Sequence, residues 1–243
     1  MRALAAMAFS AILGCSVQIV PETPELLPEN NAQSYVLDAI DTHSVVLLGE
    51  PHLGISSERV FMSSLMPYLK QHNVESIALE IDSAYQQQVD DYLASGTVSD
   101  AWFFKNTSYF SVIESAKANH LGIVCMDDIR YHNADNRYLA DYTMFENIKK
   151  IIDNNEKTIV FAGASHVSET GNTLGGLLNN LIGEESFSVI LPVEGAKNYP
   201  MLSEYYSDYR VIDLDNTAIG EMLDNSGFTL AERYDAAVFL PKL

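Results

Sequence analysis

Cysteine is almost missing from this chain: Cys15 and Cys125 are the only two in 243 residues. That excludes a disulfide-built scaffold and a thiolate metal cluster. Cys125 lies in the apolar run "GIVCMDD" and reads as a small buried hydrophobe. Basic residues are scarce as well, 14 Lys and Arg against 33 Asp and Glu, for a net charge of −19. No cluster exists to neutralise phosphates, so nucleic acid is excluded as a partner, as is charge-driven binding to anionic lipid. A cationic or neutral ligand, or a metal held by carboxylates, stays open. Low-complexity tracts are absent, and so are repeats at a period of roughly 20–50 residues, which excludes solenoids and propellers. What remains is a 47% hydrophobic chain able to bury one core of ordinary size.

The one long uncharged apolar stretch is at the start. "MRALAAMAFSAILGCS" carries a single Arg, the stretch Ala3–Leu13, then Gly14-Cys15. It is too short to span a bilayer as a mature helix and reads as a secretory h-region. Ile12-Leu13-Gly14-Cys15 resembles the bacterial lipobox, which implies cleavage before Cys15 and lipid on that cysteine. Residues 1–14 are then a signal peptide of lipoprotein type, with an ordinary signal peptide or a cytosolic start as alternatives. Pro21, Pro24 and Pro28 among polar residues make 15–33 an extended tether. Ser16 resembles the pattern sorted to the outer membrane, so the expected location is the cell envelope, with a lipid anchor.

From residue 34 onward one domain is expected. "SYVLDAIDT" reads as a short amphipathic helix. Apolar runs then recur at Val45–Leu48, Ser76–Ile81, Gly122–Met126, Thr158–Ala162, Phe187–Leu191, Tyr209–Leu214 and Ala236–Leu240. The first four are continuous rather than alternating, as in strands buried on both faces. Helical patterns lie between them. Residues 56–72 place Val60, Phe61, Leu65, Tyr68 and Leu69 on one stripe, residues 83–95 and 102–119 hold further helices, and 134–155 form a long amphipathic one. Alternating strands and helices with long crossovers predict an α/β domain: a mainly parallel sheet with helices on both faces. The last three strands, with shorter connections, are candidates for an antiparallel edge.

In such sheets ligands bind beyond the carboxyl ends of the strands. Four successive runs end in chemistry there: Gly49-Glu50-Pro51-His52, Glu80-Ile81-Asp82, Asp127-Asp128 with Arg130, and Gly163-Ala164-Ser165-His166. Glycine at a strand end permits a sharp turn or a close backbone approach. Glu80 interrupts the apolar "SIALEID", where a carboxylate needs a partner. Two histidines with carboxylates suit two chemistries. A divalent metal (Zn, Mn, Co or Fe) on His52, Glu80 and His166 would activate water. Without metal, a histidine oriented by a carboxylate acts as general base, and the second stabilises negative charge. Arg130 and Arg137 are candidate partners for the acids or for an anionic substrate group. His43, His72, His120 and His132 read as ordinary loop residues. "GNTLGG", Gly171–Gly176, lacks the lysine of a phosphate-binding loop and reads as the start of a helix. Trp102, Phe103, Phe104, Tyr109 and Phe110 read as core packing, with a substrate or haem wall as the alternative.

"LLGEPH", "ALEID" and "GASHV", in that order and spacing, resemble the superfamily that joins the haem-binding ChaN lipoproteins, the erythromycin esterases and the Tiki/TraB proteins. "QQQVDDYLASG" and "SVIESAKANHLGIVCMD" extend the resemblance, which covers residues 43–168. It implies an active centre of Glu50, His52, Glu80 and His166. Tiki-like members imply metal-dependent peptide hydrolysis, and esterase-like members imply hydrolysis with histidine as general base. ChaN-like members imply haem binding in iron uptake. Asp141 and Met144 match an Arg-Asp-x-x-Met block of the esterases, but Ala140 stands at its Arg position and Arg137 lies one turn earlier. The expectations are therefore an envelope hydrolase of ester or peptide bonds, a haem carrier, or a scaffold that retains the fold.

Overall fold

The computed structural model describes residues 32–51, 57–97, 107–131, 137–192, 210–215, 220–221 and 227–240. The segment expected to be a signal peptide, Cys15, His52, His132 and Trp102 to Phe104 lie outside the described residues, as does the expected tether up to residue 31; its last two residues, Ala32 and Gln33, already belong to a helix. Among those described, seven strands form one open sheet: β1 (Val45–Glu50), β2 (Val74–Asp82), β3 (Gly122–Asp127), β4 (Lys157–Gly163), β5 (Ser186–Ile190), β6 (Arg210–Asp213) and β7 (Ala236–Phe239). Their order across the sheet is β3-β2-β4-β1-β5-β7-β6. All neighbours are parallel except β6, which pairs antiparallel with β7 at the edge. The parallel α/β domain and its antiparallel edge are as the sequence predicts.

Seven α-helices are described with it: α1 (Ala32–Thr42), α2 (Ser57–Leu69), α3 (Gln86–Ser95), α4 (Phe110–Ala118), α5 (Arg137–Asp153), α6 (Ala164–Val167) and α7 (Leu174–Ile182). The continuous apolar strands feed two cores, because successive side chains point to opposite faces. Val46, Leu48, Ile77, Leu79 and Phe161 pack with α1, α2 and α4 on one face. Val45, Leu47, Ala78, Val160 and Ala162 pack with α5 and α7 on the other. Each residue of β1 is buried, which explains why its sequence shows no alternation.

Two departures have physical causes. β3 lies at the sheet edge, so Gly122 and Val124 are only half-buried rather than enclosed. The Gln86 side chain covers part of that edge, donating to Ile123 O at 2.8 Å and accepting from Cys125 N at 2.7 Å. On α2, Val60 faces solvent at 45% exposure, while Glu58 and Arg59 are buried. The apolar stripe of that helix therefore runs through Phe61, Met62, Leu65 and Leu69 without Val60, and the helix turns two charged residues inward.

Candidate active site

Gly49–Pro51, the described part of the first Gly-x-x-His segment, and the second segment, Gly163–His166, meet at one place. β1 continues through Gly49 to Glu50, and Glu50 pairs in register with Gly163 at the end of β4. Helix α6, which carries His166, starts directly after Gly163 and packs on β1. A Cβ on Gly49 would stand 2.9 Å from Ala164 Cα and overlap Val167 Cγ2. Gly49 thus serves close approach, where a sharp turn is the other use the sequence allows for it. Without that approach α6 could not seat His166 over the strand ends.

The acid of β2 is aimed by an irregularity. Pairing with β3 runs Leu79↔Cys125 and then Asp82↔Asp127, which leaves one extra residue on β2 around Glu80. Such a bulge redirects side chains locally. Glu80 Oε2 accepts the Gly163 amide at 2.6 Å. Its Oε1 lies 3.6 Å from His166 Nε2. On the other side of the ring, His166 Nδ1 is 2.8 Å from Asp141 Oδ1. The same oxygen accepts the Leu174 amide at 2.9 Å, so Asp141 fixes the start of α7 and the ring together. Asp141 and His166 are buried.

Glu50 is held by a second pair of residues. Its Oε1 accepts from Arg59 Nη2 at 3.1 Å and from the Tyr109 hydroxyl at 3.0 Å. The Arg59 guanidinium lies 5.1 Å from the centre of the Tyr109 ring, which packs edge-on against Phe161. Burial pushes the Tyr109 phenol well above its ordinary value, and Glu50 and Glu80 push it further; Arg59 opposes them. Tyr109 is therefore a fixed donor at neutral pH, and the buried Glu50 carboxylate has both a cation and a neutral donor.

The remaining candidates fall at the same rim in different roles. Asp127 and Asp128 are both buried at the end of β3. Asp128 pairs with Arg130, whose Nε and Nη2 approach it at 2.8 and 2.5 Å, and it accepts the Arg130 amide at 3.1 Å. Arg130 itself is an exposed side chain drawn into this local turn. Arg137 opens α5. His43 and His72 sit at the opposite end of the sheet, bound to Ala39 O and Asp41 at 2.7 Å each. Thr173 caps α7 through its Oγ1 to Gly176 N at 3.2 Å, so "GNTLGG" does begin a helix.

Arg59, Tyr109 and Asp141 complete the centre. The charged Arg59 within an amphipathic helix looks like a surface residue until its burial is known. Tyr109 was hidden among five aromatics that also suit a core. Asp141 was legible only through the esterase-like block. Chemically, the arrangement offers an imidazole between two carboxylates beside a third carboxylate neutralised by Arg59. Among the described residues no three of these side chains are arranged to hold one metal ion; Glu80 and His166 offer two donors, and His52 lies outside those residues.

No family model matches this chain, and no curated protein matches it. Solved structures do. A Bacillus cereus protein superposes with a TM-score of 0.69 at 14% identity, over 93% of this chain and 95% of that one. An erythromycin esterase in its open conformation gives 0.67 at 11% identity, over 86% and 93%. A succinoglycan biosynthesis protein gives 0.63 at 11% identity, over 89% and 92%. At these identities the likeness is one of fold: this chain has the α/β fold of the erythromycin esterase and of the two other proteins.

Proposed function

We propose that the protein is a hydrolase of ester or peptide bonds in a small-molecule or peptide substrate, with His166 as general base. The observation that carries this reading is the Asp141–His166–Glu80 line. Asp141 accepts from Nδ1, which leaves Nε2 directed at Glu80 across 3.6 Å. That gap is too long for a direct hydrogen bond. An unprotonated Nε2 and an ionised Glu80 are both acceptors, so a water donating one hydrogen to each bridges them. His166 takes a proton from that water as it attacks the carbonyl, Asp141 stabilises the imidazolium that forms, and the imidazolium returns the proton to the leaving alcohol or amine as the C–O or C–N bond breaks. Glu80 keeps the water oriented through its own anchor on the Gly163 amide. Arg59, and His52 beyond Pro51, are the candidate stabilisers of the oxyanion. The fold shared with an erythromycin esterase supports the hydrolytic class.

A metal-dependent version needs His52 with Glu80 and His166. Asp141 on Nδ1 and the Gly163 amide on Oε2 leave His166 Nε2 and Glu80 Oε1 as its two described donors, one short of the three protein ligands such a site uses. The metal-free route is the one proposed. The lipobox-like Ile12–Cys15 supports an outer-membrane lipoprotein facing periplasm or surface, tethered through Cys15. The test is a panel of esters and peptides offered to protein purified without chelator, with metal analysis and a hemin titration on the same sample. Turnover that survives chelator supports the proposal. A Soret band without turnover favours the haem-carrier alternative.

A further inference from the structure

A second pair of acids joins the loop that leaves His166 to the start of β7. Glu169 stands three residues after His166, and Asp235 immediately precedes β7. Both are half-buried and converge on Ser188 of β5. Ser188 Oγ donates to Glu169 Oε1 at 2.9 Å and lies 3.4 Å from Asp235 Oδ2; the Ser188 amide donates to the same Oδ2 at 2.6 Å. The backbone is cross-linked at the same point, Glu169 N to Arg233 O and Asp235 N to Ser188 O, each at 2.9 Å.

A serine hydroxyl has one proton and satisfies one carboxylate at a time. Two ionised carboxylates held on one serine are acceptors only and repel each other, and a hydrogen between them removes that repulsion. We propose that the two carboxyl groups share one proton, and that this proton is a pH-sensitive clamp fastening the segment behind His166 to β5 and β7. The surroundings are mostly acidic, with His43 the opposing group. Asp213 and Asp215 come from β6 and the turn after it, Tyr35 and His43 from α1 and its exit, and Asn179 from α7 at 3.5 Å from Glu169 Oε2. Arg233 turns its guanidinium onto Phe228, 4.9 Å from the ring centre. Burial, and then Asp235, hold the Glu169 carboxyl up at about 8. Burial also raises Asp235, against the Ser188 amide and His43, which lower it.

The direction of the pH effect follows from these shifts. An acid raised in the folded state contributes stability that is complete below its unfolded value and is lost as pH rises through the folded one. For Glu169 the loss runs from about 4.5 to about 8. Above that window the loop bearing Glu169 and the start of β7 repel each other, and the support behind His166 loosens.

The test compares the full chain with Glu169→Gln, whose amide supplies a permanent donor. Thermal midpoints are recorded from about pH 5 to about pH 9. Wild type should lose on the order of 5 °C relative to the variant across that range. A pH-independent difference between the two overturns the clamp. Infrared spectra of folded wild type give the second readout, which stands even if the variant fails to fold. A protonated-carboxyl C=O band should be present at about pH 6 and vanish as pH passes about 8. Absence of any such band at about pH 6 overturns the proposal.

Discussion

Asp141 Oδ1 lies 2.8 Å from His166 Nδ1, and both groups are buried. The contact selects the tautomer that presents Nε2 to Glu80. Asp141→Asn keeps the shape, and with the Leu174 amide holding its oxygen in place it removes the negative charge that stabilises the imidazolium. The expected result is a fall in kcat on the order of 100-fold or more, with KM little changed. Imidazole nitrogen NMR checks the tautomer directly, without needing a substrate.

Tyr109→Phe removes one donor from Glu50 and leaves Arg59 in place. Stability should fall by about 1 kcal/mol, the net worth of one buried hydrogen bond. Arg59→Ala removes the cation instead and strands a buried carboxylate, at a cost of about 3–5 kcal/mol. Urea unfolding of the two variants should therefore rank Arg59→Ala well below Tyr109→Phe.

Gly49→Ala forces a methyl against Ala164 Cα and Val167. Overpacking of this kind costs about 1–3 kcal/mol. Because the strain falls between β1 and α6, His166 should be displaced together with the loss of stability. The His166 ring resonances should shift in the variant, whereas those of His72, at the far end of the sheet, should not.

Burial pushes the Cys125 thiol up to about 12, with Asp90 and Asp82 adding to the shift. The thiolate is the reactive form, so at about pH 8 the native thiol should label far more slowly than an exposed cysteine. Labelling with a thiol reagent should become rapid only when urea unfolds the chain. Fast labelling of the native state would contradict the burial of Cys125.

The sheet was legible because its strands are apolar on both faces and end in Gly, Glu or His; pattern alone placed Glu50, Glu80 and His166 at one rim. Their partners were not legible from pattern, and Asp141 was reached only through the esterase-like block. Arg59 and Tyr109 are 9 and 59 residues from Glu50 in the chain, and Asp141 is 25 from His166. Each is brought in by helix packing, which leaves no local signature. Val60 shows the converse: helical periodicity puts it on the apolar stripe, yet in the packed helix Arg59 is buried and Val60 is exposed. The Glu169–Asp235 pair was equally hidden, since it depends on β7 lying beside β5.

The central claim is that His166, oriented by Asp141 and facing Glu80, activates water. The most direct measurement is kcat/KM on the best substrate of the ester and peptide panel for wild type, His166→Ala and Glu80→Gln, each confirmed folded by circular dichroism. Both variants are predicted to fall by about 100-fold or more. Turnover by His166→Ala at the wild-type rate would contradict the account.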